Sequence, residues 1–124
     1  MVIFLDFKPE LEQLGQWFKE AIQATIDSSM PPPNSPRTIR RKGHGRTLID
    51  TRKLWESIAV EVSDGVIHIG VLDPKVAKYA QYVHDGTRTI PPRPFIAKTV
   101  DEEGDKIFDR FEEAVLDKMD RFFD

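Results

Sequence analysis

Two alternating runs of residues, 58 to 63 and 66 to 71, are joined by Asp64-Gly65, and nothing else in the chain restricts its fold as much. Asp-Gly is a preferred pair for a two-residue hairpin turn, because both positions of that turn take a positive φ. Pairing outward from the turn sets Val62 opposite Ile67, Val60 opposite Ile69 and Ile58 opposite Val71. Side chains alternate along a strand, so these six apolar residues share one face, and Glu61 and His68 point to the other. The chain therefore contains an antiparallel hairpin with one face to bury.

The remaining segments supply the cover. Residues 2 to 7 form a short apolar and aromatic run, too brief for a helix and ended by Lys8-Pro9, which reads as a buried strand. Pro9 suits the first turn of a helix, with Glu10 and Glu12 where the helix dipole favours acid. Leu11, Leu14, Phe18, Ala21, Ile22, Thr25 and Ile26 then recur at steps of three and four and give one apolar stripe. Pro31, Pro32 and Pro33 end that helix by Met30, and residues 30 to 47 show no period and read as a long, flexible, exposed basic arm. Asp50-Thr51 is a cap for a short helix carrying Leu54 and Trp55 inward. Beyond the hairpin, residues 75 to 84 hold Val76, Ala77, Ala80 and Val83 at helical spacing, and Gly86 closes the segment as a left-handed cap. Three prolines between 87 and 94 predict a rigid, extended piece, on an edge or in a turn. Residues 96 to 123 place Val100, Ile107, Phe108, Phe111, Val115, Met119 and Phe122 on one side of a long helix, with Gly104 as its weak point. The expectation is a single α+β domain over residues 1 to 124. It has a small, mainly antiparallel sheet, made of the N-terminal strand and the hairpin, packed by an N-terminal helix and a long C-terminal helix.

A chain of 124 residues can bury one core unaided, and 40% apolar with 31% charged residues is the balance of an ordinary globular domain. The net charge of −3 argues against a protein that binds nucleic acid or membrane over its whole surface, so any such role is local. There are no cysteines, which excludes disulfides, thiolate metal clusters and a cysteine nucleophile. The first ten residues lack the basic region and cleavage site of a secretion signal, and no apolar stretch approaches the roughly 20 residues that span a bilayer. The protein is expected to be soluble and made in the cytoplasm.

Catalytic, cofactor and metal patterns do not emerge. His44, His68 and His84 are the only histidines and are not spaced as a zinc pair. From residue 101 onward ten acids face only Lys106, Arg110, Lys118 and Arg121, a net charge of −6 that reads as a solvated helix face. No serine sits in a nucleophile elbow or ahead of a lysine at the required spacing, and Lys42-Gly43-His44-Gly45-Arg46 lacks the spacing of a phosphate loop. An enzyme is not expected, and neither is a cofactor. The charged feature that stands out is the arm, where Arg37, Arg40, Arg41, Lys42 and Arg46 place five positive charges in ten residues. Such a segment either binds phosphate backbones without reading sequence or orders against an acidic surface. The acidic last helix of a neighbouring subunit is one such surface.

Two stretches carry a resemblance. Ser35-Pro36-Arg37-Thr38, leading on to Thr47-Leu48-Ile49-Asp50-Thr51-Arg52-Lys53-Leu54-Trp55-Glu56-Ser57-Ile58, resembles a string in small phage proteins in which a threonine and basic arm precedes Leu, acid, Thr, Gly, x, Leu, x, x, Ser, Ile. Tyr79-Ala80 through Gly86-Thr87-Arg88, then Ile90-Pro91-Pro92-Arg93-Pro94-Phe95, resembles the Tyr-Ala, Gly-Thr, Pro-x-Arg-Pro-Phe signature of the same group and is the more specific of the two. The group is the phage virion morphogenesis or tail completion family, and the likeness covers roughly residues 35 to 124. Arg52 stands where the family usually has glycine, and Asp85 where a bulky residue usually precedes Gly-Thr.

The resemblance implies a structural protein without an active site, assembled as a ring at the head-proximal end of the tail or on the connector beneath the portal. Its partners would be other neck and tail proteins: connector, tail terminator or tail tube. Its location would be the virion neck after a spell in the host cytoplasm, in an active phage or a prophage. Gly86, Thr87, Arg88, Pro92, Arg93, Pro94 and Phe95 are then the expected subunit interface, a rigid edge anchored in the core by Phe95. In such a ring the arm either faces packaged DNA or grips an acidic neighbour. The alternative, from a different class, is a cytoplasmic nucleic-acid-binding or regulatory protein that uses the arm on DNA.

Overall fold

A computed structural model describes residues 5–28, 53–89 and 91–123. The first helix, α1 (Lys8–Asp27), begins where Pro9 presets φ and Asp6 Oδ1 accepts the Lys8 N–H at 2.9 Å. Its buried residues Leu14, Gly15, Phe18, Ile22 and Ile26 fall on the expected stripe. Residues 5–7 lead into α1 outside the sheet, and the rest of the expected N-terminal strand, residues 2–4, lies outside the described residues. The arm, residues 30–47, and the Asp50-Thr51 cap lie outside them as well.

A single turn, α2 (Lys53–Glu56), buries Leu54 and leads directly into the hairpin of β1 (Ile58–Ser63) and β2 (Val66–Val71). Register is as the alternation predicts: Ile58 opposite Val71, Val60 opposite Ile69 and Val62 opposite Ile67. Asp64 and Gly65 both take positive φ, 50° and 76°, as the turn requires. Helix α3 (Pro74–Asp85) starts on Asp73, whose side chain accepts the Lys75 N–H, with Pro74 in the first turn. Helix α4 (Phe95–Phe123) closes the order. The architecture is α+β, a two-stranded antiparallel sheet packed by an N-terminal and a long C-terminal helix.

Two clusters share the core. Ile22 and Ile26 of α1 meet Leu54, Ile58, Ala80, Val83 and Phe95 at one end, and Leu14 and Phe18 meet Ile107 at the other. Ile69 touches both. Helices α1 and α4 run antiparallel. Thr25 pairs with Thr99 near one end, where the fully buried Thr99 Oγ1 lies 2.7 Å from both Thr25 Oγ1 and Phe95 O. Near the other end Lys118 Nζ bonds the Asp6 carbonyl and the Glu10 carboxylate.

The inward face of α4 differs from the expected stripe. Ile107 is buried and Phe111, Val115 and Met119 are half-buried, but Val100, Phe108 and Phe122 are about half exposed, as are Leu116 and Phe123. The residues that do pack include Thr99 and Gly104, which an apolar count overlooks. Gly104 does not interrupt the helix. It lies buried within an unbroken run of 29 residues.

Candidate functional site

The junction of α3 and α4 gathers seven of the twelve residues singled out from the sequence: Gly86, Thr87, Arg88, Pro92, Arg93, Pro94 and Phe95. The other five, Arg37, Arg40, Arg41, Lys42 and Arg46, belong to the arm and lie outside the described residues. Gly86 ends α3 by donating its N–H to Tyr82 O at 2.9 Å. Its φ of 80° needs glycine, but with ψ at 167° it is extended rather than the expected left-handed cap. The chain thus leaves α3 sharply, and Thr87, Arg88 and Thr89 after it are exposed.

Residues 87–89 and 91–94 form no strand and sit on no sheet edge, so the piece that the prolines predict to be rigid lies between two helices. Its far end is tied down. The Arg93 N–H donates to Val83 O at 3.0 Å, tying the connector back to α3, and the Phe95 N–H donates to Arg93 O at 2.8 Å. The Phe95 side chain is completely buried in the cluster with Ala80 and Val83. Phe95 is therefore the anchor, and Thr87, Arg88, Pro92 and Pro94 are the exposed members of the set. Arg93 is half-buried, which draws the pKa of its guanidinium below the ordinary arginine value, while nearby Tyr79 pushes it the other way.

His84 closes the junction. Its ring meets Phe95 edge-on with centroids 5.3 Å apart, its Nδ1 lies 2.8 Å from Asp85 Oδ1, and its Nε2 lies 3.3 Å from the Ala97 amide nitrogen. An amide N–H can only donate, so Nε2 is the acceptor and Nδ1 carries the proton toward Asp85. The imidazole thereby joins the end of α3 to the first turn of α4, satisfying one of its free N–H groups. His68, by contrast, is exposed on the outer face of the hairpin.

Sequence reasoning passed over the outward face of α3. Lys75, Lys78, Tyr79 and Tyr82 are all exposed and follow one another at helical spacing, with Lys78 Nζ 5.9 Å from the Tyr82 ring centre. The signal was there, because Tyr79 and Tyr82 fall off the Val76, Ala80, Val83 stripe. Between this helix, the end of β2 and the start of α4 lies an open cleft of about 310 Å³, lined by Val71, Ala77, Ala80, Gln81, His84, Asp85, Phe95 and Ile96. The surface around the junction is basic and aromatic at its rim and largely apolar in its cleft. That chemistry suits contact with another macromolecule. Among the described residues no group of three or more His, Asp or Glu could hold a metal ion, and no helix is long and apolar enough to cross a membrane.

No family model, curated protein or solved structure matches the chain.

Proposed function

We propose that the protein is a structural component of a tailed bacteriophage or prophage, a neck or tail completion protein that takes part in joining head to tail. The observation that carries this reading is the construction of the α3–α4 connector. The residues of the Gly-Thr and Arg-Pro-Phe strings, which resemble the phage family, hold a single rigid junction through the Arg93 to Val83 bond and the buried Phe95 ring. Thr87, Arg88 and Pro92 are exposed beside this junction, available for contact with a partner. Its partners in this reading are other copies of the chain, assembled as a ring, and the adjoining connector or tail proteins.

The test is electron microscopy of lysates from the source phage with this gene deleted. Full heads beside separate tails support the assignment. Normally joined virions refute it and bring forward the reading of the basic arm, Arg37 to Arg46, as a free DNA-binding element, for which affinity to duplex DNA should fall steeply with salt.

A further inference from the structure

His84 joins two helices through a nitrogen that has to stay unprotonated. Its Nε2 accepts the Ala97 N–H at 3.3 Å, and Ala97 is the third residue of α4, where an N–H lacks a partner within the helix. On the other side of the ring, Nδ1 lies 2.8 Å from Asp85 Oδ1 and donates to it. With 23% of the side chain exposed, water can deliver a second proton to the ring. Imidazolium donates from both nitrogens. The Asp85 contact survives that change as an ion pair, but Nε2–H then faces the Ala97 N–H and the bond between them is lost. The added charge also sits at the N-terminus of α4, the end of a helix that disfavours cations.

Among the described residues, Asp85 is the ionisable group that meets the ring. Of the elements around it, β2 contributes Val71 and α4 contributes Phe95 and Ile96, none of which titrates. Lys98, next after Ala97, lies 4.0 Å from Glu102, one turn further along α4, and Arg93 of the connector interacts with Tyr79. The Phe95 ring is completely buried and keeps α4 seated in the core whichever charge His84 carries. Loss of the Ala97 bond therefore loosens the first turn of α4 and the connector that enters it, and leaves the fold in place.

We infer that His84 is a proton-operated latch on the α3–α4 junction. Neutral, it fastens the end of α3 to the first turn of α4; protonated, it lets that turn and the Arg93 end of the connector go. The bond is made above the titration of the ring and lost as pH falls through it. The latch is a property of the chain itself and stands or falls apart from the phage reading.

The test follows Ala97 and His84 together in the full-length protein by nuclear magnetic resonance. Imidazole side chains titrate at about pH 6.5, so the useful range runs from about pH 7.5 to about pH 5.5. Across it the exchange protection of the Ala97 amide, corrected for the intrinsic effect of pH, should fall roughly fivefold, the worth of one neutral hydrogen bond. The fall should share its midpoint with the His84 ring carbons, and amides in the middle of α1 should not follow it. His84→Gln supplies a side chain that can accept a hydrogen bond but does not titrate, and should make Ala97 protection independent of pH. His44 and His68 also ionise in this range, and the same variant separates their effects from that of His84. Constant protection at Ala97 while the His84 ring titrates would overturn the latch, as would a pH dependence that survives in His84→Gln.

Discussion

Gly15→Ala sets two known effects against each other, and the structure decides which wins. In the middle of α1, alanine is better than glycine by about 1 kcal/mol on helix propensity alone. A Cβ at position 15 would meet Ile67 Cδ1 at 2.9 Å and Val60 Cγ1 closer still. Neither neighbour yields easily. Val60 is β-branched and stiff at χ1, and both it and Ile67 stand on the paired strands of the hairpin against which α1 lies. Overpacking of this kind costs about 1–3 kcal/mol, and a clash with a strand residue belongs toward the upper part of that range. The net expectation is a loss of about 1–2 kcal/mol, read as a lower denaturant midpoint at unchanged slope and a melting temperature lower by roughly 4 °C per kcal/mol. The matching control is Val60→Ala in the same background. It removes the obstructing methyl, so the double variant should be more stable than the sum of the single losses by at least about 1 kcal/mol. A Gly15→Ala protein more stable than the parent would refute the packing of α1 on the hairpin as described.

Phe95→Ala should destabilise by about 3–5 kcal/mol, since the ring is fully buried, and should raise hydrogen exchange at the Arg93 amide more than at α1 amides. Lys118→Met should cost about 1 kcal/mol by leaving the part-buried Glu10 carboxylate without its partner, and Glu10→Gln in the same chain should recover most of it; a salt series should narrow the difference. The nitrogen shifts of His84 at neutral pH should show the proton on Nδ1 and a free lone pair on Nε2; the opposite tautomer would break the link drawn between α3 and the first turn of α4.

The hairpin is fully legible in the sequence, because strand period and turn chemistry are both local. A one-residue slip would have turned all six apolar side chains away from the core, so the alternation of Ile58, Val60 and Val62 with Ile67, Ile69 and Val71 left one register. The limits of α1 were equally plain from Pro9 and the proline run after Met30. What the connector does was only half visible. Its prolines marked a break between helices, but rigidity came from two backbone bonds to residues ten and two positions away, Arg93 to Val83 and Phe95 to Arg93, which leave no composition signal. Gly86 shows the same limit. Sequence identifies a position that needs positive φ, but ψ is set by where the chain must go next, and here it is extended.

The inward face of α4 departs from the periodicity for a physical reason. Period analysis collects apolar residues into one arc, which is sound when a helix has one apolar neighbour. Val100, Ile107, Phe108, Phe111, Val115, Met119 and Phe122 fall on one arc, but α4 already meets the first turn of α1 at Lys118, so Phe122 lies a turn beyond it. The structure divides them, burying Ile107, half-burying Phe111, Val115 and Met119, and leaving Val100, Phe108 and Phe122 largely in water. Phe108 keeps one edge contact with Phe18, at 5.5 Å between centroids, although it is more than half exposed. Leu116 and Phe123 make the arc wider, in a segment whose acids would otherwise keep the surface well solvated. A helix that served only its own core would gain nothing from these positions, since large exposed apolar side chains promote nonspecific association. Apolar residues that the described part of the chain leaves exposed, interleaved with acids, mark the part of α4 whose sequence the helix's own packing does not explain.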